Sequence, residues 1–190
     1  MARKGLTPER LVEAAALLAD QAGVAAVTLT ALARHFDVQV ASLYSHLKNS
    51  DALHQRLAQF ALDKLALRAE EAVAGRSGRD ALLAIANVHR EFARDHPGLF
   101  EAARYRLPGP FGDDHGGVRI SRVTRAVLRG YGLEDADAVH ATRLLASIFL
   151  GYSMLEAAGS FNHRAPDSQA SWLRCLDALD DVLRSWQPHR

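Results

Sequence analysis

The stretch Val27–Leu53, VTLTALARHFDVQVASLYSHLKNSDAL, contains two short helical patterns separated by a tight break. Thr28 is a favourable N-cap for the first pattern, in which apolar residues recur at helical spacing as far as Phe36. The break falls at residues 37–39, where Asp37 tolerates the left-handed conformation that helix C-termini use. The second pattern, residues 40–47, is barely two turns long and needs support from neighbouring helices. Two short helices around a tight turn predict a helix-turn-helix.

The second pattern has one apolar side and one side of small and polar residues. Val40, Leu43 and Leu47 define the apolar side, and we expect the two leucines to be core residues. The other side chains project away from that core side. Such a face suits insertion of the helix into the major groove of DNA.

Residues 7–53 resemble the DNA-binding domain of the tetracycline repressor (TetR) family of one-component regulators. The stretch LTPERLVEAAALLADQAGVAAVTLTALARHF is similar to the first two helices of that family, and LYSHLKNSDAL is similar to its most recognisable motif. The turn departs from the family's usual Gly-Val-Ser. Asp37 should carry a modest strain relative to glycine, and Gln39 is a poorer N-cap than serine. The resemblance implies a DNA-binding domain at residues 1–50 and an effector-binding and dimerisation domain at residues 51–190.

The same resemblance implies which residues face DNA. Hydroxyl, imidazole and ammonium groups are suited to phosphates, Gln39 is suited to reading adenine, and small apolar side chains are suited to thymine methyl groups. Two cations ahead of the first helix form a basic arm. The predicted DNA-binding residues are Arg3, Lys4, Thr28, Thr30, Gln39, Val40, Ala41, Ser42, Tyr44, His46 and Lys48.

The composition is ordinary for a soluble globular protein. The 190 residues are 48% hydrophobic and 24% charged, and a single cysteine, Cys175, precludes an intramolecular disulfide and fits a reducing cytoplasm. No window approaches 18 consecutive apolar residues, and the N-terminus lacks an apolar signal region, so we expect no membrane association. A formal net charge of +1 is weak for a nucleic-acid binder. The motif and the placement of its cations predict DNA binding; the overall charge does not.

Helical periodicity continues to the end of the chain, interrupted by turns rich in glycine and proline. No β-type alternation and no internal repeat occurs. The predicted fold class is therefore all-α, with about nine helices. These would form an N-terminal three-helix helix-turn-helix domain and a C-terminal helical ligand-binding and dimerisation domain.

The last two helical patterns are more apolar than one small monomer needs. Monomer core is one interpretation. The other is that two copies form a four-helix bundle with two-fold symmetry, which is how TetR-like proteins dimerise. The tail also resembles the TetR subclass named after a Trp-His-Gly string, of which only Gly151 is matched. The predicted dimer-interface residues are Leu145, Ile148, Tyr152, Leu155, Trp172, Leu176, Leu179, Leu183 and Trp186.

Aromatic and occasional polar residues lie in the region where TetR-like proteins enclose effectors. An ordinary core is the other interpretation of each. The sparse charge favours an apolar or aromatic effector. The predicted ligand-binding residues are Phe60, His89, Phe92, Phe100, Tyr105, Phe111, Phe149, Tyr152 and Met154.

Neither catalysis nor a cofactor is predicted. The nine histidines form no His-x-x-x-His pair and no Cys/His cluster, so we expect no metal site. No glycine-rich phosphate fingerprint follows a strand. Catalytic residues, metal ligands and cofactors are therefore all predicted to be absent.

We expect a cytoplasmic transcriptional regulator, most simply a ligand-responsive repressor that binds a palindromic operator as a homodimer. Its expected partners are duplex DNA, a second copy of itself and a small-molecule effector. One alternative is an all-helical small-molecule-binding protein or enzyme with a vestigial helix-turn-helix. Another is a constitutive DNA-binding module without an effector.

Overall fold

The computed structural model describes residues 6–186, and within this range the chain contains only helices, turns and loops. Nine α-helices and one 3-10 turn, Val24–Ala26, succeed one another, which confirms the predicted all-α fold. The helices are α1 (Pro8–Ala22), α2 (Leu29–Phe36), α3 (Val40–Leu43), α4 (Ser50–Val73), α5 (Gly78–Asp95), α6 (Pro97–Ala102), α7 (Gly116–Arg129), α8 (Asp135–Ala157) and α9 (Ser168–Arg184).

Local capping chemistry fixes several of the helix ends. The Thr7 side chain accepts a hydrogen bond from the Arg10 amide at the start of α1, and Pro8 occupies the first turn. Gly23 ends α1 with a φ of 82°, a conformation in which residues with a β-carbon are strained. Asp167 caps α9 by accepting from the amide of Ala170 at 2.7 Å.

The described residues pack into two compact units. Unit 1 contains residues 6–64 and 96–115, and unit 2 contains residues 65–95 and 116–186. The division falls inside α4, so this helix contributes to both units. The functional boundary at residue 50 that we predict from the sequence does not coincide with this division and stays a prediction.

Unit 1 encloses a leucine-rich core beneath α1, α2, α3 and the first half of α4. Its fully buried members are Leu11, Leu32, Leu43, Leu47, Leu53 and Leu57. Burying one such side chain contributes about 1.5–3 kcal/mol. This shared core holds α3, which is too short to be stable alone.

Helix α6 joins unit 1 by packing closely on the end of α1. A β-carbon at Gly98 would lie 2.1 Å from the backbone carbon and oxygen of Ala19, so the two helices approach closely only because position 98 is glycine. Asp20 accepts a hydrogen bond from the Leu99 amide at 3.0 Å, and its other oxygen lies 2.8 Å from His96 Nδ1. Asp20 therefore bonds to two groups at the start of α6 and ties this end of the helix to α1.

In unit 2, α5 packs against α7, α8 and α9. Its core includes Leu82, Ile85, Phe92, Leu128, Leu145, Phe149 and Trp172. Trp172 donates its indole N–H to Asn87 Oδ1 at 2.8 Å, which satisfies the one polar atom of this buried ring.

A buried ion pair crosses unit 2 from α5 to α8. Arg90 is only 3% exposed and binds both oxygens of Glu156, at 2.8 and 2.6 Å, and its third nitrogen donates to Gln169 Oε1 at 2.7 Å. The guanidinium also lies over the rings of Tyr152 and Trp172. These hydrogen bonds to Arg90 lower the pKa of Glu156 to about 2, and so the carboxylate stays charged.

Helix α8 is long and apolar enough to cross a membrane by length and composition alone. Within unit 2 it packs against α5 and α7. One such helix is weak support for a membrane segment.

Candidate functional site

Helices α2 and α3 and the turn between them form the helix-turn-helix that the sequence predicts. The side chain of Thr28 accepts a hydrogen bond from the Ala31 amide at 3.0 Å and starts α2 as expected. The turn begins at Asp37, which has φ 53° and ψ 50°, in the left-handed region. The amides of Asp37 and Val38 donate to the carbonyls of Arg34 and Ala33 at 3.2 and 3.0 Å. These bonds close the end of α2 and confirm the predicted role of Asp37.

Helix α3 is shorter than predicted. It spans Val40–Leu43, whereas the sequence pattern extends to residue 47. Gln39 occupies the N-cap position without a side-chain hydrogen bond, as expected of a poor cap. After Leu43, the amide of His46 bonds to a carbonyl three residues earlier, and the Ser45 hydroxyl donates to the Ser42 carbonyl. The chain therefore continues as tight turns, because these local bonds compete with α-helical ones.

The buried and exposed sides of this segment are those expected of a DNA-recognition helix. Leu43 and Leu47 are buried, which confirms the prediction that both belong to the core. Tyr44 is 55% exposed. The predicted DNA-binding residues that lie exposed are Thr28, Thr30, Gln39, Ala41, Ser42, Tyr44 and Lys48, while Val40 and His46 are half-buried. Arg3 and Lys4 lie outside the described residues.

The segment after α6 reaches the first turn of α4, a contact that the sequence pattern does not indicate. Asn49 caps α4 by accepting a hydrogen bond from the Ala52 amide at 2.8 Å. The Tyr105 hydroxyl donates a hydrogen bond to Asp51 in the first turn of α4, and the Tyr105 ring stacks on His54 with 5.7 Å between ring centroids. The bond to Asp51 raises the pKa of Tyr105, which keeps the hydroxyl protonated as a donor.

The nine predicted ligand-binding residues do not form one cluster in either unit. Phe60, Phe100, Tyr105 and Phe111 belong to unit 1, and the other five belong to unit 2. Tyr105 contacts α4, and Phe111 is exposed against His115, so neither is enclosed in unit 1. Met154 is exposed in unit 2, and its prediction as a residue lining an enclosed pocket is not supported.

A smaller aromatic group within unit 2 remains as a candidate pocket wall. His89 and Phe149 lie with ring centroids 5.3 Å apart, and Phe149 contacts Trp172 edge-on. His89 Nδ1 lies 2.8 Å from the Ile85 carbonyl, and burial lowers the pKa of His89. The imidazole is therefore neutral at pH 7, with Nδ1–H donating to that carbonyl and Nε2 left as an acceptor. Phe92 is fully buried.

The predicted dimer-interface residues divide into two groups. Leu145, Trp172, Leu176, Leu179 and Leu183 are buried in the core of one protomer, so they offer no surface to a second copy. This part of the prediction needs correction: helical periodicity shows that a stripe is buried, but not against which neighbour. Ile148, Tyr152 and Trp186 are half-buried, and Leu155 is exposed.

Besides Leu155, other large apolar side chains are exposed on the same two helices. Met154 and Leu155 on α8, and Leu173 and Val182 on α9, are 43–49% exposed. Large apolar side chains exposed on helices are candidates for burial in an interaction surface. We refer to these four residues as the α8/α9 apolar surface.

Within residues 6–186, no group of three or more His, Cys, Asp or Glu side chains is arranged to hold a metal ion. Burial raises the pKa of Cys175, so this thiol is less ionised than a free cysteine.

Two comparisons with known sequences agree with the resemblance to the TetR family. A family model described as "Tetracyclin repressor-like, C-terminal domain" matches residues 82–179, more than half of the chain. The chain is also 34% identical over 159 residues to the HTH-type transcriptional regulator YobS of Bacillus subtilis (strain 168). That match covers 84% of this chain and 83% of YobS.

Solved structures share the fold. The Streptomyces coelicolor TetR family protein ActR in complex with (S)-DNPA is 22% identical, with a TM-score of 0.71 over 95% of this chain and 98% of that one. BioQ, a protein of Mycobacterium smegmatis, has been solved with its natural double-stranded DNA operator. That structure is 24% identical, with a TM-score of 0.71, and the match covers 96% of this chain and 100% of the BioQ chain.

Proposed function

This chain belongs to the TetR family of transcriptional regulators, and from that premise we propose that it is a ligand-responsive repressor that binds a palindromic operator as a homodimer. The predicted family resemblance is thereby confirmed, while the assignment to the Trp-His-Gly subclass stays a prediction. The observation that carries the proposal is the segment at residues 39–48. There, two buried leucines hold a helix whose polar residues lie on the surface.

Side-chain chemistry on this surface supports base contacts by some residues and phosphate contacts by others. Gln39 and Ala41 sit at the start of α3, where recognition helices contact base edges, and no capping bond occupies the Gln39 amide. Tyr44 and Lys48 are exposed donors after α3, suited to phosphate oxygens. Base contacts specify sequence, whereas phosphate contacts fix the protein on the duplex.

An effector is proposed to bind in unit 2, near His89 and Phe149. The Phe149 ring is buried, and the His89 ring is half-buried and uncharged, which suits an apolar or aromatic molecule with a hydrogen-bond donor for His89 Nε2. The relative ActR was solved with the small molecule (S)-DNPA, which supports effector binding in this fold. If the effector favours a conformer that binds DNA poorly, DNA and effector weaken each other's binding by the same factor.

Homodimerisation is proposed to bury the α8/α9 apolar surface. Each copy presents the same patch, which suits a two-fold interface. A dimer also supplies two recognition helices, one for each half of a palindromic operator. Regulation without catalysis, in the cytoplasm, is part of the same proposal.

The experiment is selection of bound duplexes from a random pool, followed by titration of the selected site. We expect a palindrome and two chains per site. The variant Tyr44→Ala/Lys48→Ala should weaken binding about 10- to 100-fold on every duplex, since it removes phosphate contacts. A change at Gln39 or Ala41 should alter the preferred sequence. Wild-type affinity in the double variant would contradict the placement of the two phosphate-binding residues.

The alternative with a vestigial helix-turn-helix predicts a different result. A protein of that kind would lack the salt-dependent binding to duplex DNA that phosphate contacts produce. A regulator without an effector binds its operator but gains no thermal stability in a screen of apolar and aromatic compounds.

A further inference from the structure

The segment Arg104–Arg106 follows α6 and is anchored to the beginning of α4 through Tyr105. The Tyr105 hydroxyl donates to one oxygen of Asp51, and Gln55 Nε2 donates to the other at 2.5 Å. The Tyr105 ring also stacks on His54. A hydrogen bond and a ring stack, both made by the Tyr105 side chain, therefore hold this segment against the beginning of α4.

The two arginines beside Tyr105 are exposed. Arg104 is held locally, because its guanidinium donates to the Phe100 carbonyl at 3.1 Å and lies over the Phe100 ring. Arg106 has no hydrogen bond or ion pair within residues 6–186 that would occupy its guanidinium. Both side chains are long enough to reach about 7 Å from the backbone while Tyr105 stays in place.

The location of these arginines is important for DNA binding, because unit 1 has no excess of cations over anions. Residues 6–64 and 96–115 contain seven lysines and arginines against nine aspartates and glutamates. A module without a cationic excess binds a polyanion only where its cations are concentrated on the contacting face. Lys48 comes three residues before Asp51, so the anchor at Tyr105 holds the segment of Arg104 and Arg106 at the end of α4 that Lys48 precedes.

We propose that Arg104 and Arg106 form a second phosphate-binding element, which contacts the DNA backbone beside the phosphates bound by Lys48. Guanidinium groups suit this partner because they pair with phosphate oxygens in bidentate geometry. Each strand carries one phosphate for about every 3.4 Å along the helix axis, so neighbouring cations can engage neighbouring phosphates. Tyr105 is then a positioning residue rather than an effector-binding one. The inference rests on the proposed DNA-binding function.

The test is the salt dependence of binding to the selected operator. Arg106→Ala should lower the slope of log affinity against log salt by about 0.9, and Arg104→Ala/Arg106→Ala by up to about 1.8. At about 0.1 M salt the single change should weaken binding roughly three- to tenfold. Arg106→Lys keeps the charge and should keep the salt slope of the wild type, whereas its affinity should fall less than that of Arg106→Ala, because lysine cannot pair with a phosphate in bidentate geometry. Arg76→Ala removes an exposed cation from unit 2 and should leave the slope unchanged.

Tyr105→Phe tests the anchor, since it removes the bond to Asp51 but keeps the ring. It should weaken DNA binding in the wild-type background and have no further effect when both arginines are alanine. An unchanged slope in Arg104→Ala/Arg106→Ala, with steep salt dependence in the wild type, would overturn this inference and leave the proposed function standing. An equal loss in Arg76→Ala would also overturn it, because net charge alone would then explain the effect. If wild-type protein shows no salt-dependent binding to duplex DNA, the proposed function fails and this inference fails with it.

Discussion

Replacing Glu156 with glutamine should destabilise the protein by about 3 kcal/mol at pH 7. The isosteric amide retains the volume of Glu156 but leaves the Arg90 guanidinium, only 3% exposed, without a countercharge. Pairing lowers the pKa of Glu156 from 4.5 to about 2. At about 1.4 kcal/mol per pKa unit, this difference corresponds to about 3 kcal/mol, in line with the cost of breaking other buried ion pairs.

The pH dependence gives the same prediction a second readout. Because the pKa of Glu156 is lower in the folded state, the pair contributes its full stability above about pH 4.5. The contribution is lost as the pH falls from there towards about 2. In Glu156→Gln this acid-dependent loss should be absent, so the stabilities of variant and wild type should converge as the pH is lowered.

The assay is urea unfolding followed by circular dichroism, at one protein concentration and several pH values. Arg94→Ala is the matched control, because Arg94 contacts the same Glu156 oxygen at 3.2 Å but its side chain is 52% exposed. Its loss should cost less than about 1 kcal/mol. Arg90→Met/Glu156→Leu should recover much of the stability, since apolar pairs replace buried ion pairs at little cost. A loss below about 1 kcal/mol in Glu156→Gln, with an unchanged denaturant slope, would refute the reasoning.

Two further predictions concern packing surfaces. Leu155→Glu/Leu173→Glu places charges on the α8/α9 apolar surface and should convert a dimer into monomers that remain helical, as measured by analytical ultracentrifugation; a stable dimer in this variant would remove the surface from the interface. Gly98→Ala should destabilise the protein by roughly 2 kcal/mol or more, because its β-carbon would lie 2.1 Å from the Ala19 backbone, whereas Gly112→Ala adds a methyl group in open space and should change the thermal midpoint little.

Much of the helix-turn-helix was predictable because its determinants are local. Thr28 and Asn49 cap helices with their own side chains, and Asp37 takes the left-handed conformation that ends α2. Each of these helix ends depends on residues no more than five positions apart, so the local sequence is enough to predict it. The length of α3 was overestimated because an apolar spacing of three and four residues persists through tight turns as well as through a helix.

Contacts between distant residues were not predictable from periodicity. Arg90 pairs with Glu156 across 66 positions, and Tyr105 bonds to Asp51 across 54. Periodicity also identifies apolar stripes on helices, but it does not show which surface packs against each stripe. It therefore assigned Trp172 to the dimer interface, although the protomer itself buries this ring, while the adjacent Leu173 lies on the surface.

Unit 1 is assembled from two separate stretches of the chain, and this affects both biosynthesis and protein engineering. On the ribosome, the DNA-reading module lacks α6 until residue 102 has emerged, so the face of α1 at Ala19 stays uncovered during synthesis of the intervening helix. A chimera joined at residue 50 would replace α6 with a foreign surface. Grafting this module onto another sensor should therefore transfer residues 96–115 together with the N-terminal helices.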